Sequence, residues 1–261
     1  MIDASKTISH VVHWLKNYCD QAAISGFVVG ISGGIDSAVT STLCARTGKT
    51  VIVLNLPINQ AKAHSDLSGQ HIAWLKNKFE NVSDLTLELT PVFNELKGVL
   101  PEEIQDELTM ANAQSRLRML TLYAVANHHH LLVAGTGNKV EDFGVGFFTK
   151  YGDGGVDLLP IADLMKSEVY ALAETMGISK GIIQAAPADG LWADNRTDES
   201  QIGASYAELE WAMGIANDPE GEAQLSPRRQ EVLAIYRKRH RANQHKMVPI
   251  PVCDIPDAFR G

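Results

Sequence analysis

Apolar positions along the chain repeat with two periods, and the alternation between those periods gives the architecture. Ile8, Val12, Leu15 and Cys19 fall at helical spacing and predict an opening helix over 5–23. Residues 27–31 (Phe-Val-Val-Gly-Ile) then read as a short buried strand, and a helix is expected over 37–47. A second buried strand falls at 51–54, followed by a helix over 62–80. Leu, Thr, Leu, Glu, Leu at 85–89 alternate as a half-exposed strand does. A long helix over 109–127 carries Leu117, Leu120 and Ala124 as its buried stripe, with Arg116 at the rim. A fourth strand spans 131–134 and stops at Gly135. Short apolar strands alternating with helices predict an α/β fold, a parallel sheet with helices on both faces, in one domain over 1–261. Such sheets bind ligands at the carboxyl ends of their strands, so the loops at 32–37 and 135–141 carry the most interest. Residues 187–225 are rich in Asp, Gly, Asn and Glu with helical patches around 199–213, and are expected to form a mobile excursion over the site. A basic helix over 226–243 and a Pro-rich tail complete the chain.

Composition narrows the function classes. With 261 residues, 45% hydrophobic and 21% charged, the chain has the make-up of a globular protein. Its net charge of −8, without a long basic run, argues against nucleic acid as a partner. No stretch approaches ~18 consecutive apolar residues, so no membrane association is expected. Cys19, Cys44 and Cys253 form no CxxC pair or zinc spacing, which fits a reducing compartment and a cytoplasmic location. His128, His129 and His130 are consecutive, so they cannot all face one metal ion; they are read as a helix end. The tryptophans Trp14, Trp192 and Trp211 are read as packing groups.

The strongest chemical signal is Ser32-Gly33-Gly34-Ile35-Asp36-Ser37 between a strand and a helix. Adjacent glycines let backbone N–H groups approach a ligand, and the positive end of the helix points to the same place. A phosphate fits that surface. The lysine of GxxxxGK[ST] is missing, and a carboxylate, Asp36, lies inside the anion pocket instead. A carboxylate beside phosphates makes sense when a divalent cation lies between them.

This loop resembles the SGGxDS loop of the N-type ATP pyrophosphatases, which cleave ATP to AMP and pyrophosphate by adenylating a substrate. Within that group the rest of the chain resembles the NAD synthetases. The resemblance is carried by Gly135-Thr136-Gly137-Asn138 with Glu141, by 147–155 (Phe-Phe-Thr-Lys-Tyr-Gly-Asp-Gly-Gly), and by Asp157, Pro160 and Lys166. The arginine helix at 112–119 and His245-Lys246 followed by Pro249 extend it, so that it runs from about residue 5 to 256. It implies a Rossmann-like sheet of the adenine nucleotide alpha hydrolase type. The activity it implies is ATP-dependent amidation of deamido-NAD by ammonia through an adenylated carboxylate, with no side-chain nucleophile. The length leaves no room for a glutamine amidase domain, so free ammonia, or ammonia from a separate glutaminase, is the expected nitrogen source. A tRNA-modifying adenylase on the same ATP loop would carry a basic face and paired cysteines.

The resemblance places ATP on Gly30, Ile31, Ser32, Gly33, Gly34, Ile35, Asp36 and Ser37, with Thr136, Lys166 and Ala188. It places Mg²⁺ on Asp36 and Glu141, and deamido-NAD on Arg116, Lys150, Asp157, His245 and Lys246, with Asp153 ranked lower. A homodimer is implied, with the tail expected to carry His245 and Lys246 across to the partner. The chain departs from the family at three points. Asn55 stands where relatives often have arginine, Ala188 where many have Ser or Thr, and one residue near 144–146 looks extra.

Overall fold

Four parallel strands in the order β3-β2-β1-β4 form the sheet. They are β1 (Gly26–Gly30), β2 (Thr50–Asn55), β3 (Val82–Thr86) and β4 (Leu132–Val133). The computed structural model describes residues 2–59, 62–187, 196–218 and 225–260, and the side chains of 62–65 lie outside that description. Strand alternation sorts the core into two layers. Phe27, Val29, Val51 and Val53 point to one face, where α1 (Ala4–Ala22), α2 (Ile35–Arg46), α3 (Lys62–Lys78) and α6 (Lys166–Met176) cover them. Val28, Ile52 and Leu54 point to the other, beneath α4 (Thr90–Val99) and α5 (Glu107–His129). Both faces are covered, as the apolar runs require. Among the described residues no helix is long and apolar enough to cross a membrane.

A third apolar cluster lies beyond the sheet. Val140 and Val145, from a six-residue π-turn (Val140–Val145), pack with α9 (Tyr206–Ile215) and α10 (Pro227–Met247). The short helices α7 (Lys180–Ile183) and α8 (Asp198–Ile202) precede α9.

Several expectations are corrected. The third strand is Val82–Thr86, because Val51 to Asn55 pair with Val82 to Thr86; Leu87 and Leu89 follow it as apolar loop residues. Helix α4 was not read from the sequence, because Pro91 sits in its first turn, where proline's missing N–H costs nothing. Helix α2 begins at Ile35, so Asp36 and Ser37 belong to its first turn and not to the loop. The helical patches read around 199–213 are α8 and α9, where Ile202, Tyr206, Leu209 and Ala212 are buried. Other parts of 187–225, including Ala188 and Trp192, lie outside the described residues. Finally, α5 does not bury the expected stripe. Ala111, Ser115 and Ala126 are buried, whereas Leu120 is 62% exposed and Ala124 is exposed as well.

Candidate functional site

The carboxyl ends of β1 and β4 open into a cleft of about 800 Å³. The loop after β1 forms its floor. Gly33 has φ +89°, a conformation that other residues adopt only with strain, and Gly34 caps α2 with no side chain. Serines brace the turn: Ser37 Oγ donates to Gly34 O (3.0 Å) and lies 3.1 Å from Ser32 Oγ, which accepts from Gly34 N. The free N–H groups of α2's first turn therefore face the cleft, with the helix dipole behind them.

A buried ion cluster closes one side. Lys166, 2% exposed at the start of α6, donates to Asp36 Oδ2 (2.5 Å) and Glu141 Oε1 (2.8 Å). Asn138, fully buried, donates to Asp36 Oδ1 and accepts from the Val140 and Glu141 amides, which fixes the π-turn against α2. The Tyr206 hydroxyl donates to Glu141 Oε1 at 2.5 Å and lies 3.1 Å from Asp198 Oδ2.

Burial opposes every charge in this cluster, and pairing decides who keeps one. For Lys166 burial favours the neutral amine, but the two carboxylates outweigh it and hold the ammonium above the usual lysine range. Asp36 is raised, chiefly by burial and also by the Glu141 charge. Burial also opposes the charge of Glu141, but the Lys166 ammonium and the Tyr206 donor bring it below the usual range. Burial and the flanking carboxylates push the Tyr206 phenol far up, so it stays a donor. Asp142, next to Glu141, is raised well above the carboxylate range by burial and by the Glu141, Asp153 and Asp36 charges.

The residues assigned from the sequence divide into two groups. The 30–37 segment, Thr136, Glu141, Lys166, His245 and Lys246 all line the cleft. Arg116, Lys150 and Asp157 do not line it in the single chain. Arg116 Nε donates to Lys150 O, and Lys150 Nζ to His245 O, on the outer wall. Asp157 accepts from Tyr123 Oη and Val133 N, clamping the 152–157 segment to the edge of the sheet. Asp153 is likewise a turn anchor, accepting from Ser115 Oγ (2.7 Å) and Thr149 N. Gly152 permits that turn, since a Cβ there would sit 2.3 Å from Ser115 Oγ. Lys246 Nζ donates to Gly146 O and Phe148 O of its own chain, which ties the end of α10 to the 146–148 segment of the cleft wall.

Sequence reasoning missed Arg118, Tyr206, Asp142 and Arg239, all placed at this cluster or in the cleft wall. Arg118 had a signal. It is two residues from Arg116 on the same helix, and its Nε donates to Leu56 O beside Asn55. A guanidinium from α5 thus lies near the β2 end, next to Asn55.

The family described as NAD synthase matches residues 7–249. A similar protein from Methanosarcina acetivorans, named NH(3)-dependent NAD(+) synthetase, is 34% identical over 97% of this chain and 100% of its own. One of the same name from Carboxydothermus hydrogenoformans is 37% identical over 90% of this chain and 92% of its own. Among solved structures, an NMN synthetase from Francisella tularensis superposes with a TM-score of 0.84 at 31% identity, covering 98% of this chain and 100% of that one.

Removing the lysine strands two half-buried carboxylates. Lys166→Met is expected to cost about 3 kcal/mol in urea denaturation without magnesium. Adding Asp36→Asn should recover at least half of that loss. Additive losses from the two substitutions would contradict the pairing.

Proposed function

The chain belongs to the NAD synthase family, and from that membership we propose that it amidates deamido-NAD with ammonia, using ATP and releasing AMP and pyrophosphate. The observation that carries this reading is the meeting of a phosphate-accepting helix start with two carboxylates and a lysine at the strand ends. A carboxylate does not react with ammonia at a useful rate, because its oxygen is a poor leaving group. In the first step one nicotinate carboxylate oxygen bonds to the α-phosphorus. The bond from phosphorus to the bridging oxygen breaks, and its electron pair leaves with pyrophosphate. Ammonia then bonds to the carboxyl carbon, the carbon–oxygen bond breaks, the nitrogen loses a proton, and AMP departs.

Each residue has a role in this reading. The α2 N–H groups and the 30–37 loop hold the phosphates, Thr136 meets ATP at the β4 end, and Lys166 neutralises the leaving pyrophosphate. Arg118 joins them beside Asn55. Asp36 and Glu141 would hold Mg²⁺. They come from different elements yet converge on one cation, the Lys166 ammonium, which suits a hard-oxygen donor pair completed by phosphate. Such an ion would neutralise charge on the phosphates. The remaining work is positioning, so no nucleophilic side chain is needed. His245 and Lys246 meet the dinucleotide inside the cleft, and Arg116, Lys150 and Asp157 meet it on the outer wall.

A homodimer accounts for that outer wall. Leu120 and Ala124 form an apolar stripe on α5 that the single chain leaves open, alongside Arg116. Burying it against its own symmetry copy would bring the outer-wall residues to a shared site. The chain acts as one domain over 1–261, and its three unpaired cysteines support a cytoplasmic location. A second reading follows from the Francisella likeness: the mononucleotide acid presents the same nicotinate carboxylate, so an NMN-forming activity rests on the same chemistry.

Two measurements check this. Purified protein with ATP, Mg²⁺, ammonium and either deamido-NAD or nicotinate mononucleotide is expected to form AMP and an amide, and the larger kcat/KM names the substrate. Asp36→Asn and Glu141→Gln should each abolish AMP formation while the fold persists by circular dichroism. Full activity in either would remove the metal assignment. For assembly, light scattering should give twice the chain mass for the wild type and the single mass for Leu120→Arg; a monomeric wild type ends the dimer reading.

A further inference from the structure

Lys166 is also held from the side of α9, by two residues that take no part in the proposed chemistry. Tyr206 and Glu210 stand four positions apart, so their side chains leave the same face of α9. Both carboxylate oxygens of Glu210 are engaged by the residue that follows the lysine. Ser167 N donates to Oε1 at 2.8 Å, and Ser167 Oγ donates to Oε2 at 2.7 Å. That backbone N–H is one of those that the first turn of a helix leaves without a helical partner. Tyr206 reaches the lysine itself. Its ring centre lies 4.7 Å from Lys166 Nζ, and its hydroxyl donates to Glu141 Oε1, the same oxygen that accepts from the ammonium.

The packing of α9 has another source. Leu209 and Ala212, both fully buried, fill the third apolar cluster with Val140, Val145, Val232 and Leu233. The polar contacts at 206 and 210 instead fix where α9 stands against the start of α6. A lysine needs such fixing, because its ammonium is a point charge on a flexible four-carbon stem. In a buried site it can stabilise a departing anion only from the place where it is held beforehand. Of its three N–H donors, Asp36 and Glu141 take two, which leaves one for a phosphate oxygen.

We propose that Tyr206 and Glu210 are positioning residues, a clamp from α9 that aims the Lys166 ammonium at the pyrophosphate as it leaves. The proposal rests on the reading that the cleft adenylates a carboxylate. Glu210 sets the backbone on which the lysine stands, and Tyr206 sets the far end of its side chain. Neither residue touches the substrates, so both act through Lys166 and through nothing else in the reaction.

The test compares kcat for AMP formation in wild type, Tyr206→Phe, Glu210→Ala and the variant carrying both changes. The phenylalanine keeps the ring over the ammonium and loses only the donor. Each single variant is expected to lose about 10-fold in kcat. The KM values for ammonium and for the nicotinate substrate should stay within about twofold, with a thermal midpoint near that of wild type. Because both residues act through one lysine, the double variant should lose much less than the product of the single losses. In a Lys166→Met background either change should cost less than about twofold more. If that background is too slow to follow, the double variant decides. An unchanged kcat in either single variant would overturn the proposal. Losses that multiply in the double variant, or that persist in full without the lysine, would do the same. A lowered thermal midpoint with every KM raised would mark a purely structural role and also overturn it. Should the wild type form no AMP with either nicotinate substrate, the proposed function fails, and calorimetric binding of inorganic pyrophosphate judges the clamp. Affinity weakened about 10-fold in both single variants supports it, and unchanged affinity contradicts it.

Discussion

A single buried ammonium organises this molecule. Lys166 could not remain charged at 2% exposure without partners, and the partners it has, Asp36 and Glu141, come from segments 130 and 25 residues away. The cost of burying each charge alone ties the start of α6 to the first turn of α2 and to the π-turn. Asn138 and Tyr206 complete the cluster with neutral donors, drawing in the end of β4 and the start of α9. The third apolar cluster, which packs α9 and α10 on the π-turn, is thereby held beside the sheet's carboxyl edge.

The same interaction explains how a site without a nucleophile can work. Phosphate-facing N–H groups, a lysine and two carboxylates are fixed in place before any substrate arrives, so the reaction does not have to order them. Two carboxylates are already gathered around one positive charge, the Lys166 ammonium, so the proposed second cation would meet donors that are in place. The structure thus favours chemistry in which charge is moved among held groups.

Much of this was legible in the sequence, and the failures have physical causes. The strands β1, β2 and β4 were plain, because strands buried on both faces read as continuous apolar runs. Strand β3 was displaced by three residues because it lies at the sheet edge, where Ser83 and Asp84 carry no apolar signal and the later leucines do. Helix α4 was hidden by Pro91. The helical patches around 199–213 were readable, and α8 and α9 fall there, with Ile202, Tyr206 and Leu209 facing the core. The glycine loop, Glu141 and Lys166 were readable as a motif. Their mutual pairing was not, since it depends on contacts across 130 residues. Arg118 and Arg116 differ by two positions, which on a helix is about 200° of rotation, and the sequence alone did not say which one faces the cleft. The Leu120 stripe is a different case: its apolar pattern is real, and Leu120 is nonetheless 62% exposed in the single chain.

The central claim is that the cleft activates a carboxylate by joining it to the α-phosphorus of ATP. The most direct measurement follows the oxygen. With ¹⁸O in both carboxylate positions of the nicotinate substrate, mass spectrometry of the products should find one ¹⁸O in the phosphate of AMP, none in pyrophosphate, and one retained in the amide. Label in pyrophosphate, or AMP without label while amide forms, would contradict the account.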